Sequence, residues 1–199
     1  MAVNRDPVLK RCRSLGLDPV YLGIDKKSRR GAANGRRPGK KSEYALQLRE
    51  KQKAKFIYGV LEKPFHTYYE RAKQMKGMTG PNLMILLESR LDNVVFRAGF
   101  ARTRKEARQI VDHKHITVNG KTINIPSYRI NAGDVIEIKE KCKGSARYEQ
   151  VREVTGGRLV PAWLESDLEN LTAKVLELPK REDIDVPVDE MLIVELYSK

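Results

Sequence analysis

The chain lacks most of what small secreted or metal-held proteins rely on. Two cysteines, Cys12 and Cys142, occur in 199 residues, too far apart for a Cys-x-x-Cys pair. The opening residues Met1-Ala2-Val3-Asn4-Arg5-Asp6 show no secretory pattern, so a disulfide scaffold is not expected. Long apolar runs are missing too. The run at 83–87 is five residues, against about twenty for a membrane span. A reducing, soluble, intracellular chain is expected, with no membrane contact. Histidine is scarce: of His66, His113 and His115, the last two have only Cys142 near them as a soft third donor, which does not favour zinc. No glycine-rich phosphate loop ending in Lys-Ser or Lys-Thr is present, and no dinucleotide fingerprint. The acid pairs Asp183/Asp185 and Asp189/Glu190 lack a helix or pocket that would perturb them, which argues against glycosidase or two-metal chemistry. No Ser–His–Asp or Cys–His arrangement can be drawn. The expectation is a protein that is not an enzyme and carries no cofactor.

Positive charge is what the chain has in excess. Its 39 Lys and Arg against 26 Asp and Glu give +13, while 40% hydrophobic residues suffice for a core. The charge is uneven along the chain. Residues 1–60 carry +11, 61–110 carry +5, 111–150 carry +2 and 151–199 carry −5. That asymmetry points to a polyanionic partner. A single lysine is usually just a solvated side chain. Lys26, Lys27, Arg29, Arg30, Arg36, Arg37, Lys40 and Lys41 are different: they crowd into one stretch spaced by glycine and proline. Such a segment buries too little apolar area to offset its ordering entropy, so it is expected as an extended arm ordered by phosphates.

The helical part is legible from periodicity. Ser42 caps a helix over 43–58 with Tyr44, Leu48, Phe56 and Val60 as its stripe and Gly59 as its stop. Pro64 opens a second helix carrying Phe65, Tyr68, Tyr69, Ala72 and Met75, aromatics better read as core than as base-stacking platforms. Thr79 and Pro81 open a third. Its apolar positions Leu83, Leu86, Leu87, Leu91, Val94, Val95 and Ala98 predict one continuous helix to Gly99. Thr103-x-x-Glu106 is a capping box for a short helix to about Asp112, buried through Ala107, Ile110 and Val111. Arg102, Arg104, Lys105 and Arg108 are expected outside it. A helix start disfavours four cations, so phosphates opposite them are the better explanation.

The period then changes to two. His115–Val118 and Lys121–Ile125 flank Asn119-Gly120, a hairpin with a type I′ turn. Asn131-Ala132-Gly133-Asp134 is a further turn, and Val135–Ile138 a further strand, followed by Lys139, Lys141 and Lys143. Residues 89–145 thus form a small α+β module. Beyond it a helix over 148–154, an apolar anchor at Pro161–Leu164 and a strand at 175–178 are expected, and period alone leaves Met191–Tyr197 open between strand and helix.

These motifs resemble the bacterial ribosomal protein S4 family. The similarity rests on Leu87-Glu88-Ser89-Arg90-Leu91-Asp92-Asn93-Val94-Val95, Arg97-x-Gly99-Phe100-Ala101, Arg104-x-x-Ala107-Arg108-Gln109, His115–Gly120 and Pro126-Ser127-Tyr128. The stretch from Ser42 to Lys53, Tyr58-Gly59 and the terminal Leu196-Tyr197-Ser198 extend it over essentially the whole chain. The resemblance implies an α+β chain: a mostly helical body, an inserted S4-type RNA-binding domain and a basic extended N-terminal arm. The expected division is arm 1–42, helical domain 43–88, RNA-binding domain 89–145, and a C-terminal part 146–199 packing with the helical domain. It also implies a structural constituent of the cytoplasmic small ribosomal subunit, a primary binder of 16S ribosomal RNA that nucleates assembly at a multi-helix junction. Neighbours would be small-subunit proteins S5 and S3, with messenger RNA where it enters the subunit, near Arg49 and Lys53, and an effect on decoding accuracy. A regulatory or stress-type RNA-binding protein acting off the ribosome is the alternative.

Arg90, Arg97, Lys114 and Lys121 of the module complete the candidate RNA-contacting set. Many family members hold zinc with four cysteines in the arm. Here Leu9 stands where the first ligand would, and residues 20–35 contain no cysteine, so no structural zinc is expected. Residues 1–41 would be ordered instead by RNA contact and by packing of Val8, Leu9, Leu15 and Leu17.

Overall fold

The computed structural model describes residues 7–26 and 42–198. The chain forms two compact units. One comprises residues up to Leu83 together with Val186 onward, the other Met84–Asp185.

The first unit is helical. Helix α1 spans Val8–Leu15 and ends at Gly16 with φ 67°, followed by a 3-10 turn at Pro19–Leu22. Residues 8–22 are therefore not an extended arm, because Cys12, Leu15, Leu17 and Leu22 supply enough buried apolar surface to fold locally. Val8 and Leu9 are only half-buried. The expectations for Lys27, Arg29, Arg30, Arg36, Arg37, Lys40 and Lys41 lie outside the described residues.

Helix α2 spans Glu43–Tyr58, with the Ser42 hydroxyl accepting from the Ala45 N–H at 3.3 Å and Gly59 closing it at φ 63°. Of the expected stripe Val60 is buried, while Leu48 and Phe56 are half-buried. Tyr44 is 58% exposed, and the inward positions are Gln47, Ala54, Ile57 and Tyr58. The cause is helix α9 (Glu190–Ser198), which packs along α2 and gives polar Gln47 an inward role. The Gln47 carboxamide donates to Glu43 and Glu195, both at 3.1 Å. Helix α3 (Glu62–Gln74) buries Phe65, Tyr69 and Ala72, and the Tyr197 ring lies 4.6 Å from that of Tyr69, so these aromatics are core. Helix α4 (Thr79–Glu88) begins here and runs into the second unit.

Glu62 ties α9 down. It accepts from Lys51 at 2.8 Å, Lys55 at 2.7 Å and the Tyr197 hydroxyl at 2.8 Å. Partial burial alone would raise its pKa. The bonds from Lys51, Lys55 and Tyr197 outweigh that and hold it down at about 2. A carboxylate with a depressed folded pKa stabilises the fold above its unfolded pKa and loses that contribution as pH falls toward about 2. An acid titration of stability should accordingly fall more steeply below pH 4.5 in the unmodified chain than in Glu62→Gln.

The second unit surrounds an antiparallel five-stranded sheet. Strands β1 (Ile116–Val118), β2 (Lys121–Thr122), β3 (Val135–Ile138), β4 (Leu164–Asp167) and β5 (Thr172–Val175) are arranged in the order β2-β1-β3-β5-β4. Asn119 and Gly120 have φ 50° and 75°, as a type I′ turn requires. Register sets Ile116 against Ile138, and Ile136 against both Val118 and Ala173. Helices α5 (Leu91–Arg97) and α6 (Arg104–Asp112) cover the core with Leu91, Val94, Val95, Ala107, Ile110 and Val111. Helices α7 (Glu140–Lys143) and α8 (Ala146–Thr155) follow β3, and α8 adds buried Tyr148.

The unit does not end at 145. Strand β5 pairs with β3 and Trp163 is buried in the same core, so residues 146–185 belong with the RNA-binding module rather than with the helical domain. Only the segment from Val186 joins the helical unit. The strand expected at 175–178 lies earlier, at Thr172–Val175.

Nor is there one helix from 79 to 98. The chain breaks at Ser89-Arg90, where Arg90 is extended at ψ 139°. The 126–130 segment competes for the backbone: Leu91 N donates to Tyr128 O, Asp92 N to Pro126 O, and Ile130 N to Ser89 O. The orphan N–H groups of α5 find tertiary partners, so α4 and α5 can part. Arg90 is buried at this break, and its Nε and Nη2 donate to Asp92 at 3.0 and 2.5 Å. Asp92→Ala would leave a buried guanidinium without its counterion, and a fall in unfolding free energy of about 3 kcal/mol is expected in urea titration.

Candidate nucleic-acid interface

Helix α6 organises the cations of the second unit. The Thr103 hydroxyl accepts from the Glu106 N–H at 3.2 Å, the first half of the capping box. The second half is displaced. Glu106 reaches past the cap to the Arg102 N–H at 2.8 Å, and also pairs with the Arg102 side chain at 3.2 Å and Arg147 at 3.3 Å. Burial would raise the Glu106 pKa, but the Arg102 bonds and the Arg147 charge lower it overall. One carboxylate thus offsets Arg102 at this helix start and Arg147 from α8.

Arg104 does not lie outside the helix. It is 8% exposed, donates its Nε to Asn93 Oδ1 at 2.8 Å, and sits 4.3 Å from the Phe96 ring centroid. The Arg158 guanidinium lies 4.4 Å from the same centroid, a favourable cation–π arrangement. Asn93 in turn donates to the Glu88 carbonyl at 3.0 Å and carboxylate at 2.5 Å. Arg97 donates to Glu88 at 3.2 and 2.9 Å and to Asp185 at 2.6 Å. Arg90, Arg97 and Arg104 therefore act as internal struts, each held by partners of its own unit. The positional pattern gave the right residues, but buried Glu88, Asp92 and Asn93 demand them as partners.

The remaining candidates divide by surroundings. Arg49 donates to the Leu15 carbonyl at 3.0 Å and fixes α1 to α2. Lys53 pairs with Glu50 at 2.5 Å and is mostly covered. Lys26 is exposed past the 3-10 turn. Lys105, Lys114 and Lys121 are exposed, Arg102 is 48% exposed, and Arg108 is partly covered, with Asp92 at 3.9 Å. Lys105 and Arg108 share the outer side of α6, and Lys114 follows its last residue by two.

Two cations that composition did not single out join this surface. Lys139 N donates to the His115 carbonyl, and Arg147 stands beside Glu106. Burial, then Arg147, His113 and Lys139, push the His115 pKa down, so its ring, 2.9 Å from the Tyr148 hydroxyl, is neutral at pH 7. The charge of Lys139 and the neighbouring Lys141 and Lys143 was visible in the sequence. The β1–β3 pairing is what sets Lys139 beside His115.

Residues 4–88 match the family described as ribosomal protein S4/S9 N-terminal domain, and residues 89–136 match the S4 domain. The small ribosomal subunit protein uS4 of Lachnospira eligens is 73% identical over 199 residues, covering 100% of both chains. Its counterpart in Agathobacter rectalis is 71% identical with the same coverage. That of Caldicellulosiruptor bescii is 51% identical over 97% of each chain. The chain belongs to the uS4 family.

The uS4 domain matches meet at 88/89, where α4 and α5 part. The S4-domain match ends at 136, although the sheet of this uS4 chain continues through β4 and β5. The donors for a zinc site do not fit. Leu9 cannot ligate, Cys12 is 1% exposed with its thiol pKa raised by burial, and among the described residues no group of three metal-ligating side chains assembles. A pair of single variants separates struts from surface. Arg104→Gln should cost about 1–3 kcal/mol by leaving Asn93 unsatisfied, whereas Lys105→Gln should stay within about 0.5 kcal/mol, both read by urea unfolding.

Proposed function

We propose that this chain is a structural constituent of the small ribosomal subunit that binds 16S ribosomal RNA directly. The observation that carries this is the end-to-end match to proteins named small ribosomal subunit protein uS4, on a chain whose S4 domain turns cations outward. The role is recognition. Lys and Arg meet phosphates and set register, while structured RNA is distinguished by its shape, its 2′-hydroxyls and its unpaired bases. The family further suggests an early place in assembly at a junction of several RNA helices in the five-prime domain. It also suggests contacts with small-subunit proteins S5 and S3, nearness to messenger RNA where it enters, and an influence on decoding accuracy.

The outward cations of the second unit are the ones assigned to RNA: Arg102, Lys105, Arg108, Lys114 and Lys121, with Lys139 and Arg147 beside them. Changing Lys105, Lys114 and Lys121 together to Gln removes charge without touching the buried struts. Filter binding to 16S ribosomal RNA across several salt concentrations should show weaker binding and a salt slope reduced by about 2. Unchanged affinity and slope would overturn the assignment of this face.

A further inference from the structure

The type I′ turn between β1 and β2 places a chemically labile pair in an unusual grip. Asn119 is followed by Gly120, whose missing side chain leaves its amide nitrogen open to attack a neighbouring carbonyl carbon. In an Asn-Gly pair the deprotonated glycine amide attacks Cγ of the asparagine. The Cγ–Nδ2 bond breaks, the nitrogen leaves as ammonia with a proton from water, and a five-membered imide remains. Water then opens the imide to aspartate or to an isoaspartyl linkage. No oxidant or further reactant is needed.

Asn119 is exposed to the hydroxide that catalyses ring closure and to the water that opens the imide. Its carboxamide, however, is held at both ends by the neighbouring strand. Nδ2 donates to Asp134 Oδ1 at 2.8 Å, and Oδ1 accepts from the Val135 N–H at 2.9 Å. Its backbone N–H donates to the Val135 carbonyl at 2.9 Å. Asp134 is anchored in turn by the Asn131 N–H at 2.7 Å. Ring closure requires the carboxamide to turn from β3 back onto its own following amide. Both side-chain bonds must break first.

We propose that Asn119 is an imide-forming modification site whose reaction the native fold holds off through the Asp134–Val135 clamp. The rate then follows the population of the opened turn. The product does not return to the clamp. Aspartate at 119 cannot donate to Asp134 and sets a like charge against it, and an isoaspartyl linkage adds a backbone atom to a two-residue turn that tolerates none. The modification therefore loosens β1–β2 and adds a negative charge beside Lys121. The inference stands on the geometry of the turn and does not depend on RNA binding.

The chain holds its own reference, since Asn34-Gly35 is the same dipeptide outside the described residues. Full-length protein is incubated at neutral pH, digested, and the deamidated and isoaspartyl forms at 119 and 34 are counted by mass spectrometry. Asn119 should react more slowly in the native chain than in urea, where the two sites converge. Asp134→Ala should speed reaction at 119 by about tenfold relative to 34, the loss of one charge-assisted hydrogen bond. Asp134→Asn, which keeps a neutral acceptor, should fall between. Circular dichroism establishes which variants are folded, and Asp134→Asn decides if Asp134→Ala is not. Equal native and urea rates at 119, or a folded Asp134 variant reacting no faster than the unmodified chain, would overturn the proposal.

Discussion

The fold depends on a buried ionic lattice at the break between α4 and α5. Glu88 is 1% exposed and accepts from the Asn93 and Arg97 side chains. Asn93 passes the demand to Arg104, and Asp92 is met by Arg90. An unpaired charge in this position would cost several kcal/mol, so each member specifies the next. The break also gives the 126–130 segment its partners, and through it the hairpin and sheet are set against α5.

That lattice sorts the positive charge of the chain into two populations. Arg90, Arg97 and Arg104 balance acceptors within the unit. Lys105, Lys114 and Lys121 are outward, with Arg108 at the edge of the lattice beside Asp92. The acidic tail plays a similar double part. Asp185 closes the lattice on Arg97, and Glu195 answers Gln47, while most remaining acids of 151–199 stay at the surface. The net charge thus overstates the cations on offer at α6 and understates how the fold organises them.

Local signals were legible wherever a short motif has one physical solution. Ser42 and Gly59 bounded α2, Thr103 opened α6, and Asn119-Gly120 turned the hairpin. What escaped were decisions made by distant residues. Gln47 looks like an interruption of an apolar stripe until α9 supplies Glu195. Ser89-Arg90 looks like helix until 126–130 takes the α5 amides. Arg104 looks solvent-facing until Asn93 and Phe96 receive it. Strands β4 and β5 have weak local patterns, and pairing of β5 with β3 and of β4 with β5 creates them. For the interface, exposed lysines were identifiable by type, while separating them from buried arginines required the tertiary partners.

On the proposed function, small-subunit ribosomal RNA is bound through the chain's own outward cations. Hydroxyl-radical protection of 16S ribosomal RNA by the purified protein tests it most directly. A compact footprint at a junction of several helices in the five-prime domain is expected. Protection scattered evenly along the RNA, or none at salt concentrations where the protein remains folded, would contradict it.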